Sequence, residues 1–158
     1  MLIYIFLLMT LEDAIQQKRP FRNQHHKVMV NLLYTNNWLE EKSRDFLKQQ
    51  NVSLQQYNIL RILKGSVKPL STMQIRERML DRMSDTSRII DRMIIKGIVE
   101  KKPNENDKRL VDITITFKGL NTLEELDKRN DELESIASSL TADEAKMLND
   151  LLDKMRDD

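Results

Sequence analysis

Basic side chains are concentrated in the middle of the chain, and short hydroxyl-bearing side chains lie among them. Residues 61–109 contain thirteen Lys or Arg against seven Asp or Glu, whereas residues 110–158 contain six against thirteen. The formal charge of the whole chain is nonetheless only +1. A basic segment followed by an acidic one predicts one surface that binds a polyanion and another that is kept away from it.

Residues for other kinds of chemistry are scarce. The chain has no Cys, which excludes disulfides, thiolate metal sites and thiol nucleophiles. It has no Gly-rich phosphate loop and no His–carboxylate spacing typical of a catalytic set. Its two histidines, His25 and His26, are adjacent, and neighbours on a helix point to different sides. We therefore predict a protein that is not an enzyme and holds no cofactor or metal.

The spacing of apolar residues predicts mainly helices. Nothing breaks a helix between Phe21 and about Lys48, and the apolar residues of that segment cover more than one face. In a chain of 158 residues, the second apolar face favours packing against another subunit. Signals for the beginnings of four shorter helices follow at Ser53, at Ser71, at Ser84 or Asp85, and at Thr141.

The period of the pattern changes from 3.6 to 2 after Gly97. Residues 98–102 and 110–116 read as two strands, and the turn-rich segment between them predicts a β-hairpin. Helical spacing then returns in one helix from Leu120 to Ile136. Two short helices followed by a basic hairpin are typical of a winged helix-turn-helix. The predicted fold is mainly α with a small β-hairpin wing, with dimerisation helices at 10–50 and 118–158 flanking a DNA-binding domain at 51–117.

Residues 1–9 form an apolar extension, MLIYIFLLM. It is too short to span a bilayer, which needs roughly 20 residues, and it lacks the features of a secretory signal. Met9 is an alternative start, which would make residues 1–8 a start-site artefact. Otherwise these residues form an arm that packs on a dimer partner, and both interpretations stay open. We expect a cytoplasmic protein with no membrane partner.

The segment from Asp85 to Gly119 resembles the MarR family of bacterial regulators. The family pattern is a recognition helix ending in Gly-Leu-Val, a wing with Asp-x-Arg, and a strand ending in Leu-Thr-x-x-Gly. Here Ile98 replaces the usual Leu after Gly97, and Ile115 replaces the Leu before Thr116. The matching order of helices covers roughly residues 11–157. The resemblance implies a homodimer that binds a pseudo-palindromic operator in double-stranded DNA, usually as a repressor, and that a small aromatic or phenolic molecule releases.

Placing the basic and hydroxyl side chains on this fold gives the expected DNA contacts. A recognition helix enters the major groove by its N-terminus, where Arg88 suits a guanine edge. Neighbouring basic residues suit phosphates, and Arg109 suits the minor groove, braced by Asp107. The expected DNA-binding residues are Ser71, Thr72, Arg76, Arg82, Ser84, Thr86, Ser87, Arg88, Lys101, Lys108 and Arg109. Arg78 and Lys102 are further candidates for phosphate contacts.

An effector site is expected between the long first helix, the second helix and the recognition lobe. Its candidate residues are His25, Tyr34, Trp38 and Tyr57, although aromatic residues at helical spacing are often plain core. One alternative function stays open beside the regulator, namely a winged-helix dimeric adaptor that has lost DNA binding, because a fold does not by itself establish a function.

Overall fold

The computed structural model describes residues 9–104 and 111–157 in two compact units, which meet in sequence between Glu40 and Glu41. In the first unit a short helix, α1 (Leu11–Ala14), precedes the long helix α2 (Gln24–Lys48), whose last turns belong to the second unit. The helix α2 begins three residues later than the sequence predicts, because the Asn23 side chain accepts a hydrogen bond from the His26 N–H at 2.9 Å and caps it.

The second unit contains the winged helix-turn-helix that the sequence predicts. Its elements are α3 (Leu54–Lys64), β1 (Leu70–Ser71), α4 (Thr72–Arg78), α5 (Thr86–Ile95), β2 (Val99–Pro103), β3 (Val111–Ile115), α6 (Phe117–Asp127), α7 (Asn130–Glu134) and α8 (Ala142–Arg156). A single 3₁₀ turn, Ser135–Ala137, follows α7. The capping boxes at Ser53, Ser71 and Thr141 are confirmed, and Asp85 caps α5.

The sheet has a strand that the sequence pattern does not indicate. Strand β1 pairs antiparallel with β3 through Leu70↔Ile113 and Ser71↔Asp112, so that the strand order is β1-β3-β2. A strand of two residues is too short to show alternation of apolar and polar side chains. The pairing ties the start of α4 directly to the hairpin.

The helix predicted from Leu120 to Ile136 is divided into α6 and α7, which is a correction to the sequence analysis. At the break, the Arg129 guanidinium donates to the Phe46 carbonyl oxygen at 3.2 Å and to Gln49 Oε1 at 3.0 Å. It also lies 5.1 Å from the centre of the Phe46 ring. These contacts join residues 80 and 83 positions apart, so local spacing could not reveal them.

One hydrophobic core holds α3 to α6 against the sheet. The core residues with the least exposure are Ile59, Leu60, Ile75, Ile90, Met93, Ile113, Leu123 and Leu126, each given as 0% exposed. Full burial of such a side chain stabilises the fold by about 1.5–3 kcal/mol. Each of the helices α3, α4, α5 and α6 begins with a side-chain cap. Among the described residues, no helix is both long enough and apolar enough to cross a membrane.

We expect Gly119→Ala to destabilise the second unit, because the added Cβ would overlap the Ile98 carbonyl oxygen and lie 2.8 Å from Ile115 Cγ1. The expected loss is roughly 1–3 kcal/mol of unfolding free energy, measured by urea denaturation. Gly65→Ala is the matched control, since its Cβ would meet its nearest neighbour, the Arg61 carbonyl oxygen, at 3.4 Å. Equal unfolding free energies for the two variants would contradict the close packing of Gly119 on α6 against Ile98, the residue before β2.

Candidate nucleic-acid interface

Helix α5 has one buried face and one solvent face. Ile89, Ile90 and Met93 are buried in the core, with exposed fractions of 6%, 0% and 0%. Ser87, Arg88, Asp91 and Arg92 are exposed on the opposite side. At the beginning of the helix, Asp85 accepts a hydrogen bond from the Arg88 N–H at 3.1 Å. The core thus fixes which polar side chains α5 presents outward.

Thr86 lies on the buried side of α5 and not on its solvent face. Its side chain is 3% exposed, and its hydroxyl contacts Met79 Sδ and the Ser84 carbonyl oxygen, each at 3.4 Å. A DNA contact through this side chain, which the sequence analysis expects, is therefore incompatible with the structure. The reason is the start of the helix at Thr86, which places this residue on the same side as Ile90 and Met93.

Arg88 is available to an external ligand. In the part of the chain that the structure describes, its guanidinium has no hydrogen-bond or ion-pair partner. Arg92, one turn later, has a long hydrogen bond of 3.4 Å from its Nε to the Arg88 carbonyl oxygen. Two exposed guanidinium groups therefore lie one helical turn apart on the solvent side of α5.

A groove of about 540 Å³ lies beside the beginning of α5, lined from Thr72 to Arg76 on α4 and from Met83 to Ser87. The exposed Arg76 is on its wall, and Arg78 and Arg82 are also exposed. The hydroxyls of two expected contact residues are already engaged. Ser71 accepts from the Gln74 N–H at 3.2 Å, and Ser84 donates to Asp81 Oδ2.

The wing lysines that the sequence analysis assigns to phosphates are each paired with a carboxylate. Lys101 Nζ is 2.7 Å from Asp91 Oδ1, and Lys102 Nζ is 2.7 Å from Glu100 Oε1. Lys102, together with the Thr114 hydroxyl, lowers the pKa of Glu100. The structure therefore brings Lys101 directly to α5. The expected wing-tip residues Asp107, Lys108 and Arg109 lie outside the described residues.

A second and larger cleft, of about 950 Å³, lies on the other side of α5. The end of α2 from Arg44 to Lys48, the beginning of α3 and the side of α5 line it. Its charged lining residues are Arg44, Asp45, Lys48, Asp85, Arg92 and Lys96. The Lys96 ammonium donates to the Asn51 carbonyl oxygen and, at 3.0 Å, to Oε1 of Gln56, which is 5% exposed. With four basic and two acidic side chains, the lining of the cleft carries an excess of positive charge.

None of the four residues expected at an effector site lines this cleft. His25, Tyr34 and Trp38 are exposed residues of the first unit. Tyr57 is half-buried, and its hydroxyl accepts from Arg61 Nε at 2.9 Å while the Arg61 guanidinium lies 5.0 Å from its ring centre.

The Arg61 side chain, which contacts Tyr57, also pairs with Asp127 on α6, and Lys64 pairs with the same carboxylate. The hydrogen bonds from Arg61 and Lys64 hold the pKa of Asp127 below its ordinary value. Tyr57 thus belongs to a contact between α3 and α6. Among the described residues, no group of three His, Asp or Glu side chains is arranged to hold a metal ion.

Comparisons with known proteins agree on one family. A family model described as "MarR family" matches residues 50–110. The multiple antibiotic resistance protein MarR of Salmonella typhimurium is 28% identical over 115 residues, which cover 70% of this chain and 78% of that protein. The sequence of residues 50–110 is therefore that of a MarR-family domain.

Two solved structures of transcription regulators share the fold. A mutant MarR from Escherichia coli, complexed with operator DNA, has a TM-score of 0.76 and 23% identity, covering 87% of this chain and 99% of that one. An organohalide-sensing transcriptional regulator in its 2,4-dichlorophenol-bound form has a TM-score of 0.78 and 22% identity, covering 89% and 86%. The fold of this chain is therefore found in regulators solved with DNA and with a small molecule.

Two residues of the α5 solvent face, Asp91 and Arg92, are not among the DNA contacts expected from the sequence. Their spacing from Ser87 and Arg88 indicates that they share the same face of α5, because residues three and four positions apart are neighbours on a helix surface. Asp91 is four residues after Ser87 and three after Arg88, and Arg92 is four after Arg88.

Proposed function

We propose that this MarR-family regulator binds double-stranded DNA as a homodimer, with α5 in the major groove, and acts as a repressor that a small aromatic acid releases. The observation that carries the proposal is the solvent face of α5, where Ser87 and Arg88 project from a helix whose other face is fixed in the core. A helix presented in this way fits the width of the major groove.

The chemistry of the surrounding side chains supports this docking. An unpaired guanidinium such as that of Arg88 forms two hydrogen bonds with the O6 and N7 atoms of guanine. The exposed Arg76 and Arg82 suit phosphates, which set the register without reading sequence. At the wing, Lys108 and Arg109 enter the minor groove in this proposal, with Asp107 bracing Arg109. A related fold solved with operator DNA is consistent with this arrangement.

Exposed apolar surface supports the homodimer. Helix α8 has no buried residue, although Met147, Leu148, Leu151 and Met155 are 63%, 44%, 57% and 47% exposed. In the first unit, α2 likewise exposes Leu33 at 64%. Helices of this composition are stable when a second subunit covers their apolar side. Two copies would place two α5 helices against half-sites about 34–36 Å apart. A monomer in sedimentation equilibrium at micromolar concentration would contradict this arrangement.

The cleft beside α5 is the effector site in this proposal. Val52 and Ile89 give it apolar patches, and Arg44, Lys48 and Lys96 give it positive charge. Such a lining suits an aromatic ring that carries a carboxylate, and a related fold has been solved with a chlorinated phenol. Because the cleft is bounded by α5, a ligand there shifts the protein away from DNA if it binds the free form more tightly than the DNA-bound form.

The DNA-binding proposal is tested by selecting a site from a random double-stranded library and measuring its affinity by fluorescence anisotropy over a salt series. We expect the selected site to bind at least 100-fold more tightly than scrambled DNA, with both affinities falling as salt rises. Arg88→Ala should weaken binding of the selected site about 10- to 100-fold. Lys42→Ala, an equal change of charge on α2, is the control and should have little effect. Equal, weak binding to both DNAs would favour the adaptor function instead.

The effector proposal is tested by calorimetric titration of salicylate, used as the probe, into free and operator-bound protein. We expect Lys48→Ala to weaken binding to the free protein about tenfold, because a charge-assisted contact is lost. Lys42→Ala, a residue of the same helix that does not line the cleft, should bind as the wild type does. Identical salicylate affinities for free and operator-bound protein would exclude release by this route.

A further inference from the structure

Asp91 is an acidic residue on the face of α5 that the proposed function directs into the major groove, and the inference that follows rests on that function. It is exposed and lies between Ser87 and Arg88 on the helix surface, four and three residues after them. A carboxylate in this position is repelled by DNA phosphates. For this face to approach DNA, the charge of the carboxylate must be neutralised, and Asp91 strengthens binding only where a base edge offers it a hydrogen-bond donor.

The neutralising partner is on the wing. Lys101 Nζ is 2.7 Å from Asp91 Oδ1, and the side chains remain 42% and 60% exposed. The pair is solvated, so it adds little to the stability of the fold. Its effect is on the charge of the helix face, where a lysine cancels the carboxylate that lies between Ser87 and Arg88.

The same pair leaves Arg88 free. An Asp three residues after an Arg on a helix is within reach of its guanidinium and would ordinarily pair with it. Here Asp91 pairs with Lys101, and in the described part of the chain the Arg88 guanidinium has no partner. Arg88 is therefore ready to bind a guanine without first breaking an ion pair.

We propose that Asp91 is a specificity-determining residue, which accepts a hydrogen bond from the N4 amino group of a cytosine next to the base pair that Arg88 contacts. Lys101 is the positioning residue that holds the carboxylate toward the groove. A carboxylate accepts only, so it favours a base edge with an amino donor and rejects the O6 of guanine and the O4 of thymine, which are acceptors. The helix face then combines a donor for guanine at Arg88 with an acceptor for cytosine at Asp91.

Glu100 provides a matched control within the same wing. Its carboxylate also pairs with a lysine, Lys102, at 2.7 Å, and it accepts from the Thr114 hydroxyl at 3.2 Å. Glu100 is on β2, however, and not on α5. Removing its charge changes the electrostatics of the wing to the same extent without changing the face that reads bases.

The test is selection from a random double-stranded library with the wild type, Asp91→Ala, Asp91→Asn and Glu100→Gln. We expect the wild type to prefer cytosine at one position of each half-site. In Asp91→Ala the preference for cytosine at that position should fall about tenfold, while the base preferences at the other positions stay unchanged. Asp91→Asn should prefer adenine there, because an amide both donates and accepts. Glu100→Gln should select the wild-type site, and Asp91→Ala should bind scrambled DNA more tightly than the wild type does.

The outcomes separate this inference from the proposed function. If the wild type selects a site and Asp91→Ala and Asp91→Asn select the same site with the same strength at every position, Asp91 does not determine specificity while DNA binding stands. If the wild type selects no site, the proposed function itself fails. Because Asp91 is exposed, we expect thermal unfolding midpoints of its variants close to the wild type, and selection is compared only for variants that meet this condition.

Discussion

The burial of Ile89, Ile90 and Met93 on one side of α5 is the packing on which the function of this chain depends. These side chains join a core formed by α3, α4, α6 and the sheet, and their position fixes the rotation of α5 about its own axis. A rotation of α5 would expose apolar surface at a cost of about 25 cal/mol per Å². Ser87, Arg88 and Asp91 consequently point outward together, while Thr86 is held inside.

The two ends of α5 are held by polar contacts. At its start Asp85 caps the helix, and at its end the Thr116 hydroxyl donates to the Gly97 carbonyl oxygen at 2.8 Å while Lys118 Nζ donates to the Lys96 carbonyl oxygen at 2.7 Å. The Lys96 side chain connects the same end to the Asn51 carbonyl and to the buried Gln56 at the beginning of α3. The helix is therefore linked both to the beginning of α6 and to the cleft. Through these contacts a ligand in the cleft can change the orientation of α5, provided that it binds the free form and the DNA-bound form with different affinities.

The sequence predicts those parts of the fold that are encoded locally. Capping residues such as Ser53 and Asp85, and the change of period after Gly97, determine helix beginnings and the hairpin from neighbouring residues alone. The parts it misses depend on contacts between distant residues. The break between α6 and α7 follows from Arg129 reaching Phe46, and the Lys101–Asp91 pair joins the hairpin to α5. Thr86 is misassigned because composition marks it as polar, whereas the depth of a side chain depends on how the whole helix packs.

In the proposed complex, the solvent face of α5 lies in the major groove. Protection of the guanine N7 atom from dimethyl sulfate tests it most directly, because that atom is exposed only in the major groove. On the selected site we expect strong protection of one guanine in each half-site with the wild type, and loss of that protection with Arg88→Ala at protein concentrations that still occupy the DNA. Guanine N7 atoms that stay fully reactive on saturated DNA, or protection that is unchanged in Arg88→Ala, would contradict it.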